Sequence, residues 1–147
     1  MILVDANVLI YAVDSDSAHH ESSRRWLEEA LSGTEPVGFA WVVLLAFLRI
    51  TTRPGILHRP LELEMAMAYV DSWLAQPYAD ALPAEANHWP LLRSLIRSAG
   101  TAGNLSSDAH LAALAVGRGA RVCSTDRDFL RFVGLEVIHP AAVPRGD

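Results

Sequence analysis

Short apolar runs alternate along this chain with longer segments of helical periodicity. The runs 2–5, 37–40 and 121–124 have the length and nearly continuous hydrophobicity of strands buried in a parallel sheet. The run 135–138 predicts a further strand, and 80–82 predicts a weaker one. The alternation predicts an α/β fold with a mostly parallel central sheet of about four to five strands flanked by helices.

Capping residues, prolines and glycines set the limits of the predicted helices. Asn7 suits the start of a first helix, Pro54 ends the strongly apolar one, and Gly100 follows another. The helical segments predicted in this way are 8–11, 17–31, 41–51, 60–76, 89–99, 109–116 and the short segment 126–132.

Length and composition indicate one folded domain over residues 1–147. The chain is 51% hydrophobic and 20% charged, which is typical of a globular protein. No apolar run reaches the roughly 18 residues of a membrane span, and Asp5 ends the first run too early for a targeting segment. Cys123 is the single cysteine, so we expect no internal disulfide, no multi-cysteine zinc site and a cytoplasmic location without a membrane.

The net charge of −5 argues against a protein that holds nucleic acid by broad phosphate neutralisation. It is compatible with a nuclease, because a carboxylate site is negative by construction and bound divalent cations reverse its sign locally.

Acidic residues occur where predicted strands give way to helices. Asp5 follows the first strand, Asp126 and Asp128 follow the strand 121–124, and Asp108 begins the helix that leads into that strand. Ligands of open α/β sheets bind at the carboxyl ends of the strands, so these acids are expected to converge. Such oxygen ligands suit Mg²⁺ or Mn²⁺, which activate a water for hydrolysis of a phosphodiester.

Each acid also has a purely structural explanation. Asp108 is favourable to the helix dipole in a first turn, and Asp126 and Asp128 suit the start of a short helix. Asp5 is harder to explain in this way, because a carboxylate that closes a buried strand needs polar partners.

Four segments carry a resemblance to a known family. The segment 4–12 (VDANVLIYA) resembles the D-x-N-x-L opening of PIN domains, and 47–54 (FLRITTRP) resembles the end of the middle helix in one group of VapC toxins. The segment 103–115 (GNLSSDAHLAALA) is similar to the family's third-acid segment, and 124–129 (STDRDF) to its T-x-D-x-D-F ending. The four stand in family order over almost the whole chain.

The resemblance implies a PIN fold and a Mg²⁺-dependent endoribonuclease, with Mn²⁺ as a substitute ion. It also implies the toxin component of a type II VapBC toxin–antitoxin system, with a cognate VapB-type antitoxin, an RNA substrate, a homodimer and a toxin–antitoxin hetero-oligomer. Its implied catalytic residues and metal ligands are Asp5, Asp108 and Asp126. Its implied supporting residues are Asn7, Ser124, Thr125 and Asp128.

One position departs from the family pattern. PIN domains generally place a second acid in the middle helix, where this chain has Ala46, and nothing between residues 39 and 61 is acidic. Either another acid replaces it (Asp14, Asp16, Glu62 and Glu64 are poor candidates), or the site works with fewer ligands. The alternative function is a catalytically weak PIN module that acts mainly through protein or RNA binding. An unrelated phosphohydrolase is disfavoured, since no Gly-rich phosphate loop is present.

Other polar and aromatic residues admit two interpretations. Arg49, Arg53 and Arg59 line an RNA path or are ordinary surface arginines. His19 and His20 are interpreted as a solvated helix start. Trp41, Trp73 and Trp89 are expected in the core or at an oligomer contact.

Overall fold

The computed structural model describes residues 1–142 and places a five-stranded parallel sheet at the centre. The strand order is β3-β2-β1-β4-β5, and all four neighbouring pairs are parallel, which confirms the predicted fold class. The strands are β1 (Ile2–Val4), β2 (Val37–Ala40), β3 (Ala79–Leu82), β4 (Arg121–Cys123) and β5 (Val137–Ile138).

The central strand β1 is buried on both faces. Its three residues are at most 3% exposed, and it pairs with β2 on one side and β4 on the other. The chain first builds the sheet from β1 towards β3 and then returns to add β4 on the opposite side of β1. The order therefore reverses between β1 and β4, which is where open α/β sheets form ligand sites.

Six helices cover the sheet, and most of them begin within a few residues of the predicted positions. They are α1 (Ala6–Val13), α2 (His20–Ser32), α3 (Trp41–Thr52), α4 (Leu63–Leu74), α5 (His88–Ala99) and α6 (Ser106–Arg118). Short 3₁₀ turns occupy Gly103–Leu105 and Arg127–Arg131.

The start of α4 was predicted at Pro60, three residues before the observed Leu63. The segment before it is held in another conformation: the Leu61 amide donates to the Thr51 carbonyl at 2.8 Å, and Glu62 is extended. The helix therefore begins only at Leu63, although the apolar periodicity extends further towards the N-terminus. The predicted strand 135–138 is likewise shorter, since only Val137 and Ile138 pair with β4.

An aromatic cluster joins β2, α3 and α4. Trp73 stacks 6.1 Å from Phe39 and meets Phe47 edge-on at 4.9 Å, while Tyr69 lies 5.9 Å away. Trp73 is thus a core residue, as one of the two interpretations had it. Two other tryptophans are on the surface: Trp41 is 53% exposed and Trp89 is 63% exposed.

Cys123 is fully buried in β4, and its burial raises the pKa of the thiol far above its ordinary value. No helix within residues 1–142 has the length and hydrophobicity to cross a membrane.

Candidate metal centre

Three chain segments meet at the carboxyl edge of the sheet, between β1 and β4. β1 is followed by Asp5, whose backbone amide donates to the Cys123 carbonyl at 3.0 Å. β4 is followed directly by Ser124 and the acidic turn that contains Asp126. The first turn of α6 brings Asp108 to the same edge. The acids predicted to converge therefore lie at the reversal of strand order, but Asp5 is outside the compact group that Asp108, Asp126 and Asp128 form.

Asp5 is a buried carboxylate with its hydrogen bonds satisfied. It is only 8% exposed and caps α1, with Oδ1 accepting from the Ala6 amide at 2.8 Å. Its Oδ2 accepts from Ser124 Oγ at 2.7 Å and from Asn7 Nδ2 at 3.0 Å. Burial raises the pKa of Asp5, and the hydrogen bonds from Ser124 and Ala6 oppose that rise. These donors hold the carboxylate in one orientation.

The neighbouring polar residues form one connected network around Asp5. Asn7 Nδ2 also donates to Ser124 Oγ at 3.2 Å, while Asn7 Oδ1 accepts from the Thr125 amide at 3.3 Å. Ser124 Oγ accepts in addition from the Asp126 amide at 2.9 Å. Asn7 and Ser124 thus make the contacts expected of supporting residues, whereas Thr125 contributes its backbone amide.

Asp108, Asp126 and Asp128 form a compact group of carboxylates. One oxygen from each lies within 4.8 Å of the other two. The amide of Asp128 donates to Asp126 Oδ1 at 2.9 Å, so the 3₁₀ turn fixes their relative positions. Asp128 was assigned only a supporting role from the sequence, and the structure places its carboxylate in the same group as those of Asp108 and Asp126.

Asp108 shows the electrostatic consequence of this arrangement. Its pKa is raised to about 7, mainly by burial and further by the negative charges of Asp5, Asp126 and Asp128. None of the ion pairs formed within residues 1–142 involves the carboxylates of Asp108, Asp126 and Asp128. A divalent cation would supply the missing positive charge, and an all-oxygen donor set is the set that Mg²⁺ and Mn²⁺ prefer. The residues present therefore fit such an ion.

No replacement for the missing middle-helix acid is evident in the described part of the chain. Ala46 lies half-buried in α3. Asp16 forms an ion pair with Arg59 at 2.9 Å, and Glu64 lies beside Leu48 at a shallow groove between α3 and α4. Neither these two nor Asp14 and Glu62 belong to the carboxylate group.

The arginines proposed for an RNA path differ in their surroundings. Arg59 donates to both oxygens of Asp16 and to Ser15 Oγ, so it joins the segment after α3 to the loop after α1. Arg49 and Arg53 are exposed. The engaged guanidinium of Arg59 favours the surface interpretation for that residue.

Comparison with known proteins identifies the family. A model of the PIN domain matches residues 2–135. The chain is 49% identical over 143 residues to Ribonuclease VapC37 of Mycobacterium tuberculosis, covering 97% of this chain and 99% of that protein. It is 36% identical over 140 residues to Ribonuclease VapC33 of the same species, covering 95% and 98%. The chain therefore belongs to the PIN-domain family, among the ribonucleases named VapC, which confirms the resemblance read from its motifs.

Solved structures support the same fold. The crystal structure of VapBC2 from Rickettsia felis, bound to a DNA fragment from its promoter, contains a chain that aligns with a TM-score of 0.71. The alignment covers 95% of this chain and 98% of that one, at 17% sequence identity. At this low identity the likeness establishes the fold alone.

Proposed function

We propose that this chain is a Mg²⁺-dependent endoribonuclease and the toxin component of a type II VapBC pair. The observation that carries the proposal is the carboxylate group of Asp108, Asp126 and Asp128 beside the buried Asp5, in a chain 49% identical to Ribonuclease VapC37. A bound Mg²⁺, or Mn²⁺ in its place, would activate a water towards an RNA phosphodiester and stabilise the developing negative charge.

Within this proposal the residues have distinct tasks. Asp5, Asp108 and Asp126 are the metal ligands, and Asp128 supports the site from the adjoining turn. Asn7 and Ser124 hold Asp5 by hydrogen bonds, and the Thr125 amide holds Asn7 in turn. Such outer contacts keep a ligating oxygen in place and are commonly as important as the ligand itself.

The test is cleavage of RNA by the purified chain. We expect cleavage with Mg²⁺ or Mn²⁺, no cleavage with EDTA, and a loss of activity in Asp5→Asn, which keeps the size of the side chain. Asp71→Asn is the matched control, because Asp71 lies exposed on α4 away from the carboxylate group. An Asp5→Asn variant as active as the protein itself would overturn the proposal.

The absence of an acid at position 46 supports a second candidate, a catalytically weak PIN module that acts mainly by binding. The two functions differ in metal affinity, which calorimetry measures directly with Mg²⁺ and Mn²⁺. An endoribonuclease should bind the ion and lose it in Asp108→Asn, whereas a binding module should show little uptake in either form.

A matched pair of variants tests whether the missing acid limits the site. If α3 faces the site as in the family pattern, Ala46→Glu should raise metal affinity and cleavage rate. The control is Leu45→Glu, since the neighbouring Leu45 is 58% exposed. Equal metal affinities in the two variants would show that position 46 does not reach the ion.

The partners belong to the same proposal. A cognate VapB-type antitoxin, a homodimer and a toxin–antitoxin hetero-oligomer are supported by structural relatives that are VapBC complexes. We also propose that residues 1–147 form one PIN domain that works in the cytoplasm. Expression of the chain should arrest growth, and co-expression of a short upstream gene product should relieve the arrest. Relief by an unrelated control protein would contradict the pairing.

A further inference from the structure

Three aromatic rings lie in a row near the carboxyl edge of the sheet. The rings of Tyr11 and His19 are 5.0 Å apart, and His19 meets His139 edge-on at 6.4 Å. They come from α1, from the residue that precedes α2, and from the residue that follows β5. His19 and His139 are exposed and Tyr11 is half-buried. We call this group the aromatic platform.

Two structural links connect the aromatic platform to the carboxylates. His139 follows Ile138, whose carbonyl accepts from the Ser124 amide at 3.0 Å, and the same Ser124 holds Asp5. Tyr11 lies one helical turn beyond Asn7 on α1, so the two residues share a helix face. The platform is therefore carried by segments that adjoin those holding Asp5.

Hydrogen bonds order the His139 ring and the backbone of the segments that carry Tyr11 and His19. His139 Nδ1 accepts from the Ala141 amide at 3.1 Å, which sets the orientation of that ring. The Tyr11 carbonyl accepts from His20 Nδ1 at 2.8 Å, and the His19 amide donates to Ser17 Oγ at 3.1 Å. A surface ordered in this way loses little conformational freedom when a ligand stacks on it.

The negative net charge of the protein favours binding of a nucleic acid through its bases rather than through its phosphates. The chain carries a net charge of −5. Five of its arginines are already in ion pairs: Arg24, Arg25, Arg59, Arg118 and Arg121. Base stacking on aromatic side chains does not depend on positive charge, and it requires bases that are free of a duplex.

We propose that the aromatic platform stacks an unpaired RNA base next to the phosphodiester that reaches the carboxylates. The proposal rests on the ribonuclease function proposed above and adds the residues that hold a base beside the reacting phosphodiester. Because only an unpaired base can stack on these rings, a regular duplex should bind weakly. Tyr11, His19 and His139 act as specificity-determining residues.

The experiment measures binding separately from cleavage. A short single-stranded RNA with 2-aminopurine at alternate positions is titrated with the protein, with Ca²⁺ in place of Mg²⁺ to keep the RNA intact. Stacking quenches the 2-aminopurine fluorescence. We expect His139→Gln and His19→Gln to weaken binding about 5- to 100-fold and to reduce the quench, because stacking of one base is worth that much.

Matched variants separate stacking from other effects. His139→Phe retains a ring and should retain binding, whereas His139→Gln retains only polarity. His58→Gln and Trp89→Ala remove an exposed histidine and an exposed tryptophan outside the platform and should bind as the unaltered protein does. The same RNA annealed to its complement should bind weakly to all forms.

The outcomes distinguish this proposal from the ribonuclease proposal. If the protein cleaves RNA but the glutamine variants bind and quench normally, or if duplex binds equally well, the aromatic platform is overturned and the ribonuclease stands. If no RNA is cleaved with Mg²⁺ or Mn²⁺ but 2-aminopurine is quenched through His19 and His139, the ribonuclease proposal fails while base stacking stands. If RNA is not cleaved and 2-aminopurine is not quenched, the ribonuclease proposal and the aromatic platform are both overturned.

Discussion

The Ser124 hydroxyl donates to Asp5 Oδ2 at 2.7 Å and so joins the residues that follow β4 and β1. The same oxygen accepts from Asn7 Nδ2 and from the Asp126 amide. One serine therefore couples the buried carboxylate to the acidic turn that carries Asp126 and Asp128.

This coupling makes Ser124 a sensitive position. In Ser124→Ala, Asp5 loses the donor that most opposes the rise of its pKa, and its orientation is no longer fixed. We expect metal affinity to fall about 10- to 100-fold, as for other supporting contacts at metal sites. Calorimetry with Mn²⁺ measures the change.

Two variants control this prediction. Ser124→Thr keeps the hydroxyl and should retain most of the affinity. Ser72→Ala removes an exposed serine from α4, whose hydroxyl donates to the Tyr69 carbonyl, and should leave metal binding unaltered. Normal binding by Ser124→Ala would show that the hydrogen bond has no role in holding the ion.

Asp108 predicts a pH dependence for the metal-free protein. Its pKa is about 7 in the folded chain and near 3.8 without these surroundings. Between those values the folded state binds more protons than the unfolded state, so the contribution of Asp108 to stability decreases as pH rises through this window. Urea unfolding in EDTA should therefore show Asp108→Asn becoming relatively more stable as pH increases from 4 to 7.

Metal binding should show the complementary dependence. The ion displaces the proton held by Asp108, so affinity should rise with pH up to about 7 and level off above it. Proton release measured in two buffers of different ionisation enthalpy checks this directly. At the acid end of the range, roughly one proton should be released for each ion bound. A metal affinity that is constant from pH 5 to 8 would contradict the assignment of Asp108 as a ligand.

Ser23 is a buried hydroxyl in α2 without a hydrogen-bond partner among the described residues. Replacing it by alanine removes the desolvation penalty and adds helix propensity, so Ser23→Ala should stabilise the chain by about 1 kcal/mol. Ser22→Ala is the control, because that hydroxyl is only half-buried and donates to the His19 carbonyl. If thermal or urea unfolding ranks Ser22→Ala as the more stabilising change, the prediction is wrong.

Gly38 in β2 is required by close packing. A Cβ there would lie 2.4 Å from Leu82 Cδ1 and 3.4 Å from Leu3 Cδ1. Leu82 is only 7% exposed, so its side chain has little room to move. We expect Gly38→Ala to destabilise the chain by about 1–3 kcal/mol in urea unfolding.

A double variant isolates that clash. Leu82→Ala removes the obstructing methyl group. In that background Gly38→Ala should lower the free energy of unfolding by less than it does in the unaltered chain, which a double-mutant cycle measures. Gly33→Ala should be tolerated, because its nearest atoms would be 3.5 Å away. Additive effects at positions 38 and 82 would contradict the packing argument.

The order of the strands and helices was largely predictable because it depends on local patterning. The run 37–40 was predicted at its observed limits, and the buried strands β1 and β4 were recognised by their continuous hydrophobicity. The start of α4 was not predictable, since the long-range hydrogen bond between Leu61 and Thr51 decides it. Periodicity in sequence carries no information about such a contact.

The sequence by itself determined the α/β class, the strand-end positions of Asp5 and Asp126, the helix-start position of Asp108, and the missing acid at position 46. Only the tertiary structure decided that Asp128 joins Asp108 and Asp126 in one carboxylate group while Asp5 stays outside it, and that His139 lies near His19. The reason is geometric: residues far apart along the chain meet according to strand order, register and side-chain direction. These are set by the packing of the whole core, and no local segment encodes them.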